Sequence, residues 1–122
     1  MALRQQTLQK YVTLATPILI EVAKGKRKKR FITYKELIDE MRGPGRGYIG
    51  KVLEEVCCSE RSKERPLLSA VVIHKVDQLP GEGFWNIRVI PEWVKNASDA
   101  EKKAFWERAR EKVLEYWQKH DS

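Results

Sequence analysis

Residues 33–56, TYKELIDEMRGPGRGYIGKVLEEV, have the pattern of two amphipathic helices joined by a glycine-rich turn. Thr33 and Glu36 have the spacing of a capping box, which marks the start of the first helix. The glycines and proline of residues 43–47 cannot continue a helix at low cost and predict the turn. From about Tyr48, apolar residues recur at helical spacing: Ile49, Val52, Leu53 and Val56. This pattern favours a helix-turn-helix, and an ordinary helical hairpin in a core remains the alternative.

The charge of the chain is concentrated around this stretch. The 122 residues carry a formal net charge of +7, and residues 24–65 hold 13 basic against 7 acidic residues, or +6 of it. A basic surface centred on a helix-turn-helix is what phosphate contacts require. The alternative is the solvated surface of a charge-rich protein.

The residues before the stretch predict a helix, a basic loop and a short strand. Apolar residues at steps of three and four favour a helix over residues 3–24, which Pro17 makes either one kinked helix or two adjoining helices. Residues 24–30 form a basic loop, and residues 31–32 are long enough only for a very short strand. The loop is either an arm that faces nucleic acid or a soluble connector.

The residues after the stretch predict a β-hairpin. Residues 67–74 and 84–90 are rich in β-branched and aromatic residues, and a Pro-Gly-Glu-Gly turn separates them. The order of elements is therefore that of a winged helix-turn-helix of the α+β class, with a core of about residues 17–90 and residues 75–83 as the wing. Additional helices lie at both ends, and the length of 122 residues fits a single domain, 1–122.

A last helix is predicted over about residues 98–119. Ser98 and Glu101 form a second capping box at its start. Its apolar stripe comprises Phe105, Ala109, Val113 or Leu114, and Trp117. This aromatic face either docks on the rest of the chain or provides a homodimer or protein-partner interface.

Four short motifs follow one another along residues 33–76. They are Thr33-Tyr34-x-x-Leu37, Gly43-Pro44, Ile49-Gly50 and Val72-Ile73-His74-Lys75-Val76. In these motifs residues 32–84 resemble the DNA-binding, C-terminal winged helix of the O6-alkylguanine-DNA alkyltransferases and the alkyltransferase-like proteins. The resemblance covers under half of the chain and implies a DNA-binding fold.

Two departures from that family pattern bear on the chemistry. Ile73 stands where the family has its nucleophilic cysteine, and an alkane side chain cannot accept an alkyl group. Cys57 and Cys58 lie on a different element and are expected to be reduced thiols. Gly47 occupies the place of the arginine that the family inserts into the duplex, so base flipping by that arginine is not expected.

These observations favour a non-enzymatic protein, located in the cytoplasm, that binds double-stranded DNA. The second helix would enter the major groove, and the basic loop and wing would contact phosphates. The expected DNA-contacting residues are Lys26, Arg27, Lys28, Lys29, Arg30, Thr33, Tyr34, Arg46, Tyr48, Lys51 and Lys75. No metal site, cofactor or membrane span is expected. The alternatives are a protein-interaction module that uses the aromatic C-terminal helix, and the DNA-reading subunit of a nuclease or modification system.

The substitution at residue 73 leads to a direct test. After incubation with DNA containing O6-alkylguanine, the intact mass of the protein should be unchanged, because Ile73 offers no nucleophile. Intact-mass spectrometry measures this, and a stoichiometric gain of one alkyl group would refute the alignment.

Overall fold

The fold, described by a computed structural model, is mostly helical with a small parallel sheet. The structure describes residues 5–27, 29–43, 45–85 and 87–120; for residues 46 and 82 it describes only the backbone. The helices are α1 (Gln5–Ala23), α2 (Tyr34–Met41), α3 (Arg46–Ser62), α4 (Glu82–Trp85), α5 (Glu92–Lys95) and α6 (Asp99–Lys119). The strands are β1 (Ile32–Thr33) and β2 (Val72–Ile73), and a 3₁₀ helix spans Leu68–Val71.

The first helix is continuous through its proline. Pro17 lies within α1, so of the two alternatives the single helix is the observed one. The Thr16 hydroxyl donates to the Val12 carbonyl oxygen at 2.8 Å. The buried face of α1 comprises Leu8, Ala15, Leu19, Val22 and Ala23. This face packs against α3, the 3₁₀ helix, α2 and α6.

The helix–turn–helix stretch folds as its pattern predicts. The Thr33 hydroxyl accepts from the Glu36 amide at 3.1 Å, and the Thr33 amide donates to the Glu36 carboxylate at 3.0 Å. Gly43 has φ +135°, and a Cβ there would lie 2.5 Å from the Tyr11 hydroxyl oxygen, so the turn requires glycine. The apolar stripe of α3 is buried as expected: Ile49, Val52, Leu53 and Val56.

The helix α3 is longer than its pattern indicates. It begins at residue 46 rather than 48 and continues to Ser62, beyond the last residue of its apolar stripe, Val56. Glu60, although charged, is 1% exposed and pairs with Arg65 at 2.7 Å. The helix therefore includes residues 59–62, although their polar sequence is typical of a loop, and Glu60 is buried with Arg65 as its partner.

The predicted β-hairpin is wrong. Residues 68–71 form the 3₁₀ helix, and β2 pairs in parallel with β1, in the register Ile32↔Val72 and Thr33↔Ile73. A parallel pair needs a long crossover, which α2 and α3 supply. Residues 68–73 are all buried, and a mostly apolar run does not distinguish a strand from other buried backbone.

The second predicted strand of the hairpin is also wrong. Residues 82–85 form α4. In the segment 84–90 the buried side chains are Phe84, Ile87 and Ile90, which recur at every third residue. This spacing belongs to helical turns, whereas a half-buried strand alternates with a period of two.

The last helix docks on the body of the protein. Its buried residues are Trp106, Ala109, Val113 and Trp117, so Trp106 takes the place predicted for Phe105. The Trp106 indole N–H donates to the Ala70 carbonyl oxygen at 2.9 Å. In the described part of the chain, no helix is long and apolar enough to cross a membrane.

The two capping boxes should contribute measurably to stability. Thr33→Ala and Ser98→Ala should each lower the free energy of unfolding by about 1 kcal/mol, because each leaves an amide of the first helical turn without its acceptor. Urea unfolding checks this against Thr13→Ala, an exposed position within α1. Equal losses from all three variants would contradict the capping roles.

Candidate nucleic-acid interface

A cavity of about 660 Å³ lies beside the first turns of α3. It is bounded by α2, by the N-terminal half of α3, by the loop that follows β2, and by α4. Its apolar lining comprises Ile49, Leu53, Phe84 and Ile87, and its polar lining includes Thr33, Tyr34, Ser69 and His74. Because exposed residues are also part of the lining, the cavity reaches the protein surface.

Tyr34 connects two walls of this cavity. Its hydroxyl oxygen accepts from the Gly81 amide at 2.7 Å, and its ring lies 4.9 Å from that of His74, centroid to centroid. Burial raises the pKa of the Tyr34 hydroxyl above its ordinary value of about 10. The group therefore stays neutral at physiological pH, and it keeps its own proton for donation to a further acceptor.

Gly81 allows the loop after β2 to approach Tyr34 closely. A Cβ at this position would lie 2.9 Å from His74 Nε2 and 3.2 Å from the Tyr34 hydroxyl oxygen. The turn before it is compact, since the His74 amide donates to the Leu79 carbonyl at 2.9 Å. The position of the loop thus depends on the absence of a side chain at residue 81.

Three lysines from three separate segments line the cavity. Lys29 belongs to the loop after α1, Lys35 to α2 and Lys75 to the loop after β2, and all three are exposed. Two carboxylates also line it. Glu36 is held in its capping box, where the hydrogen bond from the Thr33 amide lowers its pKa; Asp39 lies 3.8 Å from Lys35 Nζ in an exposed pair of small energetic weight.

Arg27, an expected DNA contact, is engaged within the protein. Its guanidinium donates to the two carboxylate oxygens of Glu40 at 2.6 and 2.7 Å and to Glu21 at 3.1 Å. The bond to Glu40 raises the pKa of Arg27 above its ordinary value. These bonds connect the loop after α1 to both α1 and α2. Because two carboxylates already contact the Arg27 guanidinium, its attraction for a phosphate is weaker.

The other expected contacts fall into several groups. The Thr33 hydroxyl accepts the capping hydrogen bond of α2. Lys51 pairs with Glu54 at 3.3 Å and does not line the cavity. Lys26 and Arg30 are exposed in the basic loop, and Tyr48 is half-buried in α3. Lys28 and the side chain of Arg46 lie outside the described residues.

The residue that the resemblance aligns with a nucleophilic cysteine is buried. Ile73 is 1% exposed, within the core. Cys57 and Cys58 are free thiols on α3. Cys57 is buried 3.1 Å from the Ser69 hydroxyl, and burial raises its pKa to about 11, which keeps it an inert thiol.

Several cavity residues were not identified from the sequence. Lys35 lies in the first helix of the stretch 33–56 and His74 in the motif Val72–Val76, and neither pattern predicts a place in a cavity. Gly81 and Phe84 fall in the turn and the second strand of the predicted hairpin. The available signal was the Pro-Gly-Glu-Gly segment, but a turn motif does not indicate which side chain it packs against.

Neither the protein-family models nor the curated proteins nor the solved structures that were searched contain a match to this chain. In the described ranges, no group of three or more His, Cys, Asp or Glu side chains is placed to hold a metal ion.

The hydrogen bond between Tyr34 and Gly81 should stabilise this site. Tyr34→Phe should lower the free energy of unfolding by about 1–3 kcal/mol, because it leaves the amide of buried Gly81 without an acceptor. Tyr116→Phe is the matched control, since the Tyr116 hydroxyl makes no hydrogen bond to any residue that the structure describes. Urea unfolding compares the two, and equal stability of both variants would refute the role of the bond.

Proposed function

We propose that this protein binds duplex DNA, without catalysis, through the face that carries α2, the turn and the first half of α3. The observation that carries the proposal is the set of three lysines, from three segments, around a cavity beside the helix-turn-helix. Side chains from separate segments that converge on one face can follow a phosphate backbone. The resemblance of residues 32–84 to a DNA-binding domain supports the same face.

In this proposal the fold is used as a winged helix. The N-terminal half of α3 faces the major groove, where Arg46 and Tyr48 would be presented to base edges. The loop after β2, which carries Lys75, acts as the wing, although it lacks the strands of a hairpin. Lys29 and Lys35, which line the same cavity as Lys75, also contact phosphates.

The cavity predicts which form of duplex DNA the protein prefers. Its apolar walls and the neutral hydroxyl of Tyr34 suit an aromatic ring with hydrogen-bonding edges, such as a nucleobase that has left the stack. Gly47, at the edge of the cavity, has no side chain to replace that base in the duplex. We therefore expect binding to favour DNA in which a base is already unpaired, because opening a paired duplex costs several kcal/mol.

Fluorescence anisotropy with labelled DNA tests the proposal. Affinity for a duplex should fall as salt rises, and removing a phosphate-contacting lysine should reduce the slope of log affinity against log salt by about 0.9. We expect this for Lys29→Ala, Lys35→Ala and Lys75→Ala. Lys103→Ala, on the exposed side of α6, is the matched control.

The same duplex with one bulged base should bind more tightly than the fully paired duplex. Single-stranded DNA and RNA of the same sequence serve as the other probes. No binding at low salt, or a salt slope that all four variants share with the wild-type protein, would refute duplex binding through this face. Equal affinity for bulged and paired duplexes would refute the use of the cavity alone.

A further inference from the structure

A second concave surface lies at the other end of α3, and the DNA-binding proposal does not use it. We call it the Trp93 groove: a depression of about 690 Å³ between the end of α3, the segment before the 3₁₀ helix, α5 and α6. Its floor is apolar and includes Leu67, Ile90, Phe105 and Ala109. Since α3 rises 1.5 Å per residue, about 21 Å of helix separates Gly47 at the cavity from Arg61 at this groove.

Trp93 is the exposed anchor of the groove. Its side chain is 60% exposed, whereas Trp106 and Trp117 are buried in the core. The Trp93 ring stands edge-on to Phe105, with 6.0 Å between ring centroids. A tryptophan held by a neighbouring ring at the side of an apolar depression is the kind of residue that dominates protein–protein interfaces.

Six cations line the same groove, and three of them lie within 4 Å of a carboxylate of the same chain. They are Arg61, Arg65, Arg88, Lys95, Arg108 and Lys112. Arg65 pairs with buried Glu60 at 2.7 Å, Arg88 with Glu55 at 2.9 Å and Lys95 with Glu92 at 3.9 Å.

The other three cations are exposed and have no carboxylate partner among residues 5–27, 29–43, 45–85 and 87–120. Arg108 and Lys112 are four residues apart on α6, which places them on one face of the helix with Phe105 and Ala109. Arg61 lies at the end of α3. The groove thus combines an apolar floor with unneutralised positive charge from two helices.

We propose that the Trp93 groove binds a short acidic segment of a partner protein, with an aromatic or aliphatic side chain on the floor against Trp93 and carboxylates on Arg61, Arg108 and Lys112. Arginine binds carboxylates through paired hydrogen bonds, which makes such contacts specific as well as attractive. The proposal is independent of the DNA-binding function, because it uses the opposite end of α3.

The charge around the groove favours a peptide over a nucleic acid. Glu92 lines the groove itself, and Glu64 and Glu115 line the depression that adjoins it beside Arg61 and Lys112. A polynucleotide would extend its phosphates over these carboxylates, whereas a peptide with two or three acidic residues ends within the groove. A second copy of the chain fits less well, since each copy carries a net charge of +7.

Selection from a display library of short random peptides on the full-length protein tests the proposal. Selected peptides should share an aromatic or leucine residue flanked by acidic residues. Enrichment of neutral or basic sequences, or no enrichment, would overturn it. The most enriched peptide, labelled with a fluorophore, is then the probe for affinity measurements.

Trp93→Ala and Arg108→Glu should each weaken binding of that peptide at least tenfold, a loss of about 1.4 kcal/mol. Lys103→Glu makes the same charge change on α6 outside the groove and should alter the affinity less than twofold. Circular dichroism verifies that each variant is folded, which the exposure of the substituted side chains favours. If Lys103→Glu weakens binding as much as Arg108→Glu, the attraction is not localised in the groove and the proposal fails.

An oligothymidine strand is the competing probe. It should bind wild-type protein and Arg108→Glu equally, since the proposal assigns nucleic acid to the other end of α3. If Arg108→Glu loses oligothymidine binding and keeps peptide binding, the groove is a single-stranded nucleic-acid site and the peptide proposal is overturned.

Discussion

The fold depends on how the buried segment 68–73 satisfies its backbone hydrogen bonds. Buried amides and carbonyls without partners are costly, so this segment has to find them inside the protein. The 3₁₀ helix satisfies some of these groups locally, β1 pairs with β2, and the Trp106 indole reaches the Ala70 carbonyl. Helices α1, α3 and α6 all contact the 3₁₀ helix. The three longest helices therefore pack around this one segment.

In this arrangement a concave surface lies at each end of α3. The cavity at its N-terminal half is bounded by α4, and a Cβ on Gly83 would lie 3.6 Å from the Gly50 Cα, so the two helices meet closely there. At its C-terminal end, Arg65 lines the groove and pairs with buried Glu60 just after the helix ends. Two ligands could occupy these ends at the same time, because the surfaces share no lining residue.

Internal ion pairs redistribute the positive charge that the sequence displays. Arg27, Lys51 and Arg65 are bonded to carboxylates of the same chain. A count of basic residues between positions 24 and 65 does not separate such residues from Lys29, which is exposed and lines the cavity. The two surfaces also carry cations from outside this stretch, such as Lys75 at the cavity and Arg108 at the Trp93 groove.

The sequence alone determined the elements whose causes are local. Both capping boxes, the extent of α1 and α6, the glycine turn and the buried stripe of α3 follow from residues within a few positions of one another. The tertiary structure decided what depends on distant partners. Tyr34 meets Gly81 across 47 residues, and Trp106 meets Ala70 across 36. For the same reason, strand 72–73 pairs with β1 rather than with a neighbouring strand of a hairpin. A buried apolar run has no periodicity that indicates its pairing partner. The packing of the surrounding helices determines that partner.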